Sequence, residues 1–235
     1  MKPPEWRQHA DADALVRALA DALGAVAERA IAARGVFHLV LAGGATPRAL
    51  YAELARRDAG DPAWRIWYGD ERCLPADHAE RNSVMAETAW LAASRIPLQN
   101  RRPIPAELGP EPATARYAEA LRGIGEFDLV LLGLGEDGHT ASLFPARDIG
   151  AAPGSPDVLA VDHAPKPPAA RVSLSAARLG RAERVWFLVA GSGKREAIAR
   201  WLRGKHLPAA RVSGREETVV WLDAAAWPDT QPPLF

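Results

Sequence analysis

The densest group of residues able to do chemistry is Gly133-Leu-Gly-Glu-Asp-Gly-His-Thr-Ala-Ser-Leu-Phe-Pro145. Three glycines there (Gly133, Gly135, Gly138) precede one histidine, His139. An unperturbed imidazole titrates near 6.5, which suits proton transfer around neutral pH. Glycines let a backbone approach a ligand closely, Gly135 among them. Glu136 and Asp137 stand next to the histidine, and the sequence does not choose which of them orients it. Three further turns carry groups suited to an anion. Ala42-Gly-Gly-Ala-Thr-Pro47 opens a helix, with free backbone N–H groups at Gly43 and Gly44 and Thr46 as the expected N-cap before Pro47. Asp70-Glu-Arg72 offers a carboxylate, Asp70, and a guanidinium, Arg72. Gly191-Ser-Gly-Lys194 places the Lys194 ammonium at another helix start. The bland alternatives are an ordinary strand-to-helix turn, a surface ion cluster, a solvated lysine and a packed histidine.

The elements that must hold these turns can be read from periodicity. Residues 127–132 form an apolar run broken only by Asp128, so a buried strand leads into the His139 turn. Residues 12–34 carry Leu15, Leu19, Leu23, Val26 and Ala30 at helical spacing and stop at Gly35, a long amphipathic helix. Strands are expected at 36–41, 64–68, 158–161, 171–175, 184–190 and 218–222. Helices are expected after Thr46, from Asn82 to Trp90, at 114–122, and from Lys194 to Leu202. Residues 96–112, rich in proline and arginine, read as irregular connection, and 163–168 as extended through their prolines. Strand and helix alternate with no long linker or internal repeat. That predicts a single domain over 1–235, α/β and Rossmann-like, with a doubly wound, mostly parallel sheet and helices on both faces. In such sheets ligands bind at the carboxyl ends of the strands, where all these turns lie.

Gly133-Leu-Gly-Glu-Asp-Gly138 satisfies G-x-G-x-x-G, but a dinucleotide site needs a helix directly behind the third glycine. The sequence there reaches Pro145 with room for one or two turns at most, so the dinucleotide reading is set aside. A P-loop fails because Leu188 and Arg195 stand where Gly and Ser/Thr are required. There is no G-x-S-x-G and no H-E-x-x-H, and the six histidines are scattered singly, so neither a serine nucleophile on that plan nor a metal is expected. The 29 basic residues balance 29 acidic ones, so no global field recruits nucleic acid or an anionic membrane. An anionic ligand must therefore be held by local groups. One cysteine, Cys73, excludes an intramolecular disulfide framework. No apolar run approaches ~18 residues, and the first residues lack the apolar core of a leader. A cytoplasmic protein, acting as a monomer, is the expectation.

Taken together and in this order, the turns resemble the 6-phosphogluconolactonase family. The match runs through Leu41-Ala-Gly-Gly-Ala-Thr-Pro-Arg-Ala-Leu-Tyr51, Asp70-Glu-Arg-Cys-Leu-Pro75 with Asn82, and the His139 motif to Pro145. It continues through Pro165-Lys-Pro-Pro168 with Arg171-Val-Ser-Leu and ends at Gly191-Ser-Gly-Lys194, covering nearly the whole chain. The resemblance implies a fold shared with glucosamine-6-phosphate deaminases and hydrolysis of 6-phospho-D-glucono-1,5-lactone without metal or cofactor. It implies His139 as the base, with Arg72, Lys194, Arg171 and the Gly43-Gly44-Thr46 turn on the phosphorylated sugar lactone. Ala42 and Ala45 depart from the serines common in the family, and Arg81 stands where a serine is frequent. The rival is the deaminase/isomerase branch, whose members resemble Asn-Gly-His-Ile-Ala-Phe-Asn-Glu-Pro here, with a glutamate five residues after the histidine. In this chain that position is Phe144, which favours hydrolysis by one activated water over a proton relay. A third alternative is a sugar-phosphate sensor without turnover, but no DNA-binding helix pair or basic patch accompanies it.

Overall fold

A computed structural model describes residues 3–228; the ends of the expected 1–235 domain, 1–2 and 229–235, lie outside the described residues. The first element is β1 (Glu5–His9), which was not anticipated, because five residues with two charges and a single large apolar side chain carry little apolar signal. It then enters α1 (Ala12–Arg34). The Asp11 carboxylate caps this helix by accepting from the Ala14 N–H at 2.7 Å, and Gly35 ends it with φ +71°. That left-handed conformation is one a glycine adopts without a Cβ penalty. Leu15, Leu19, Leu23 and Val26 turn one face of α1 into the core.

Five strands follow β1 into one sheet: β2 (Phe37–Leu41), β3 (Trp64–Tyr68), β5 (Phe127–Gly133), β8 (Ala182–Val189) and β9 (Glu217–Asp223), in the order β1-β9-β8-β5-β2-β3. Every pairing in it is parallel. The helices are α2 (Ala45–Arg56), α3 (Asn82–Ala89), α4 (Pro110–Ala120), α5 (Ala176–Gly180) and α6 (Arg195–Leu202). β5 is buried along its first six residues, alternating side chains included, which requires cover on both faces of the sheet. Its one charge, Asp128, accepts the His38 N–H at 2.6 Å and pairs with Arg34, so the buried carboxylate is satisfied.

The chain order fixes where a ligand can enter. From β2 the chain proceeds outward to β3, whereas β5, β8 and β9 build the other way. The carboxyl ends of β2 and β5 thus flank the switch point, where the sheet opens a crevice.

A second sheet was not foreseen. β4 (Asp70–Arg72), β7 (Arg171–Leu174) and β6 (Val158–Val161) pair antiparallel, with Asp70 opposite Ser173 and Arg72 opposite Arg171. The three residues of β4 carry no apolar alternation, and their partner lies about a hundred positions away. The pairing brings Arg72 and Arg171 into register beside the crevice. Two smaller expectations shift: α4 begins at Pro110, with prolines in its first turn as helices tolerate, and α2 is capped by Gly44 (φ +112°) rather than Thr46.

Candidate active site

At the switch point lies a cavity of about 410 Å³. It is lined from the end of β2 by Gly43 and Gly44, from β4 by Asp70 and Arg72, and from the end of β5 by Gly133 and Gly135. His139, Arg171 and Lys194 complete the expected set. Residues from five separated stretches thus converge on one crevice. Thr46 is the exception: it sits half-buried in the first turn of α2, outside the lining. Asn82, Phe144 and Lys166 line the cavity too, although their chemistry was not assigned from sequence. All three stand in or beside the motifs that carry the resemblance, which was the available signal.

No helix lies between β5 and α5, so the glycine turn is followed by irregular backbone and the dinucleotide reading stays excluded. The turn is instead a clasp. The Gly135 N–H donates to the His139 carbonyl at 2.8 Å, and Gly138, at φ +89°, lets the chain reverse. A Cβ on Gly135 would stand 2.0 Å from His139 Nδ1, so the imidazole occupies the space that glycine leaves open. The Thr140 hydroxyl donates to the Gly133 carbonyl at 2.8 Å and ties the far side of the turn to β5.

The structure chooses between the two acids beside the histidine. Asp137 Oδ1 lies 2.5 Å from His139 Nδ1 and also accepts the His139 backbone N–H at 3.1 Å, while Glu136 is exposed. Burial pushes the Asp137 carboxyl up, but the hydrogen bonds from His139 outweigh it and hold the pKa below the usual carboxylate value. An ionised Asp137 requires a proton on Nδ1, which leaves Nε2 as the basic nitrogen. Among the described residues Nε2 has no hydrogen-bond partner. The ring is only about a fifth exposed.

Asp70 is buried and joins three segments. Its carboxylate accepts from the Ser142 hydroxyl at 2.7 Å and from Asn82 Nδ2 at 3.0 Å. Asn82 in turn presses on Gly43, where a Cβ would stand 2.0 Å from its Oδ1. Fully buried Glu71 accepts the N–H groups of Asn82 (2.7 Å) and Ser83 (2.8 Å), a carboxylate placed where the dipole of α3 is positive. Arg81 pairs with Glu107 at 2.8 Å and donates to the Ile104 carbonyl at 2.7 Å, outside the cavity lining. The arginine that departs from the family pattern thus holds structure in place.

Four cations face the cavity: Arg72, Lys166, Arg171 and Lys194. Arg171 is buried, and its Nε and Nη2 donate to the carbonyls of Pro168 (3.0 Å), Lys166 (2.9 Å) and Pro167 (3.2 Å). It clamps the loop that carries Lys166. Burial pulls its pKa down, opposed by nearby Asp70 and assisted by Arg72. Lys194 ends the 3₁₀ turn Ser192–Lys194 and makes no ion pair among the described residues. Its turn is anchored by the Gly191 N–H, which donates to the buried carboxylate of Asp223 at 3.0 Å. On α2, Gly44 supplies no side-chain cap, so the first N–H groups of the helix remain available to an anion.

A neutral chain that gathers four cations, a helix start and one aspartate-backed imidazole in a single crevice has the site of an enzyme acting on a small phosphorylated substrate. The comparisons agree. Residues 10–221 match the model of the glucosamine-6-phosphate isomerase/6-phosphogluconolactonase family, and the chain belongs to that family. A 6-phosphogluconolactonase from Streptomyces coelicolor is 37% identical over 95% of this chain and 93% of its own length. Among solved structures, the 6-phosphogluconolactonase of Thermotoga maritima superposes with a TM-score of 0.86, covering 94% of this chain and all of that one at 27% identity. A monomeric glucosamine-6-phosphate deaminase superposes at 0.80 over 94% of this chain and 98% of that one. At 18% identity, that likeness speaks for the fold alone.

Proposed function

We infer that this chain hydrolyses 6-phospho-D-glucono-1,5-lactone to 6-phosphogluconate, the lactone-opening step of the oxidative pentose phosphate pathway. The observation that carries this reading is one imidazole, backed by Asp137, facing a cation-lined cavity with Phe144 at the position where the deaminase branch has its second acid. The relatives named 6-phosphogluconolactonase support the same activity.

The mechanism proposed from these groups needs no other component. His139 Nε2 takes a proton from water as the water oxygen attacks the lactone carbonyl carbon, C1. Asp137 keeps Nδ1 protonated and stabilises the imidazolium that forms. The tetrahedral oxyanion is held by donors of the cavity, either backbone N–H groups or a cation. As it collapses, the bond between C1 and the ring oxygen breaks, and the imidazolium delivers its proton to that oxygen, which becomes the C5 hydroxyl. The new carboxylic acid then ionises and releases one proton to solvent. Arg72, Lys194 and the Gly43-Gly44 turn hold the phosphate end, which positions the lactone without reacting. Lys166 and Arg171, which stands opposite Arg72 in the β4–β7 pair, add further positive charge to the cavity.

The reading extends to a monomer working in the cytoplasm on a small-molecule substrate, without nucleic acid or membrane. Among the described residues no helix is long and apolar enough to cross a membrane. Light scattering on the purified protein reads the oligomeric state directly. The activity is tested by supplying freshly made lactone and, separately, glucosamine 6-phosphate, and following acid or ammonia release. Acid from the lactone alone is expected; ammonia release would assign the chain to the deaminase branch, and neither product would leave a sensor. His139→Ala is expected to lower kcat by ~10²–10⁴-fold with an unchanged circular dichroism spectrum. Full activity in that folded variant would remove His139 as the base.

A further inference from the structure

A general base is useful only if its lone pair is aimed, and one hydrogen bond does not aim an imidazole. The contact from Nδ1 to Asp137 fixes one end of the ring but leaves rotation about that contact, and that rotation moves Nε2. Two apolar contacts remove this freedom. The first is Gly135, whose missing side chain leaves space that the ring fills. The second is Phe144, whose ring centroid lies 4.9 Å from that of His139 at an interplanar angle of 46°, within the range of a favourable aromatic pair.

Phe144 is itself immobilised. It is buried and packs with Val161 and Ala164 in a small apolar cluster separate from the main core. The Arg171 guanidinium lies 5.7 Å from its ring centroid, and that arginine is fixed by three carbonyls of the loop at 166–168. A continuous line of contacts therefore runs from the Lys166 loop through Arg171 and Phe144 to His139.

We propose that Phe144 is a positioning residue for His139: its ring holds the imidazole in the orientation that aims Nε2 at the attacking water. On this account the position contributes more than the absence of an acid. Its aromatic ring serves hydrolysis by holding a base that works without a second carboxylate. The proposal rests on the reading of His139 as the base, and its test separates the two ideas.

The variants are Phe144→Leu, Phe144→Tyr, His139→Ala and the double variant Phe144→Leu/His139→Ala, each checked for folding by circular dichroism and thermal melting. Initial rates are measured on 6-phosphogluconolactone with the spontaneous hydrolysis subtracted. Phe144→Leu keeps the site apolar but removes the ring. It is expected to lower kcat by about tenfold to a hundredfold, the effect of roughly an ångström of misplacement, with KM changed less than about threefold. Phe144→Tyr keeps the ring and its contact with the imidazole, so its kcat should stay within about threefold of the parent. In the His139→Ala background, Phe144→Leu should cause no further loss, because a residue that acts through the imidazole has nothing left to act on. An equal loss in both backgrounds overturns the proposal, as does a rise in KM with kcat intact. If His139→Ala alone is fully active, the base assignment fails first, and that outcome is distinct from either of the others.

Discussion

Replacing Gly135 with alanine tests the geometry of the site with the smallest possible change. The Cβ would appear 2.0 Å from His139 Nδ1, 2.2 Å from Cε1 and 2.7 Å from Cγ. Ordinary contacts between such atoms are about 3.5 Å, so the ring must retreat by about 1.5 Å. Nδ1 stands only 2.5 Å from Asp137 Oδ1, and a displacement of that size either breaks this contact or drags the carboxylate along. In both cases Nε2 leaves its position. Gly135 does not have a positive φ, so the methyl group adds no backbone strain and the fold should survive. Misplacing a reacting group by about 1 Å can cost 10²-fold, and losing general base catalysis altogether costs ~10²–10⁴-fold. Gly135→Ala should therefore lower kcat by about 10²–10³-fold while KM, set by the phosphate contacts, stays within a few-fold. The assay is acid release from fresh lactone in a weakly buffered indicator solution, with melting curves recorded on the same preparations. A folded variant with kcat within threefold of the parent would show that the imidazole is not confined as described, and the argument from Gly135 would fall.

If Lys194 holds the phosphate as proposed, it does so in both the ground and transition states, so Lys194→Ala should raise KM while kcat is nearly kept. A charged hydrogen bond contributes about 1.5–3 kcal/mol, or roughly tenfold to a hundredfold in KM. An unchanged KM would sink the phosphate role. A separate prediction concerns stability. His38 Nδ1 accepts the Trp67 indole N–H at 3.1 Å, which only an unprotonated Nδ1 can do. Burial lowers its pKa from 6.5, opposed by Asp128 and reinforced by Arg65, Arg178 and Arg34. A histidine whose folded pKa lies below its unfolded one binds fewer protons when folded. Its contribution is therefore complete above about 6.5 and is lost as pH falls towards the lowered value. The melting temperature of the parent should decline over that interval more steeply than that of His38→Gln, by on the order of 2–4 °C per kcal/mol lost. Parallel declines would show that His38 does not carry the effect.

Much of the frame was legible because its signals are local. Helix α1 follows from five apolar residues at helical spacing that stop at a glycine, and β5 from an apolar run. Behind the G-x-G-x-x-G match, Pro145 and the sequence around it leave no room for the helix that a dinucleotide site requires, and the structure has none between β5 and α5. The long His139 motif and the turns around it name residues that, Thr46 apart, the structure gathers along one crevice. Thr46 has the chemistry of a capping residue, but the chain turns into α2 two residues earlier, at Gly44, whose positive φ only a glycine adopts readily. β1, α5 and β4 were missed because each is too short, or too polar, to show a period.

By itself, then, the sequence determined the α/β alternation, the turns at the carboxyl ends of the strands and the histidine they deliver. These depend on residue type and spacing within a few turns of chain. Tertiary structure alone decided that Asp137 rather than Glu136 meets the imidazole, that Arg171 clamps the loop carrying Lys166, and that Asp70 ties Asn82 to Ser142. It also turned Phe144 from a missing acid into a neighbour of the catalytic ring. Asp137, Phe144 and the Lys166 loop lie within a few residues of their partners, so what decides there is the direction each side chain takes in the folded turn, whereas Asp70 meets Asn82 and Ser142 only when distant segments come together. The contact of Asp70 with Ser142 spans 72 residues, and β4 (Asp70–Arg72) pairs with the distant β7 (Arg171–Leu174), so no local pattern records them.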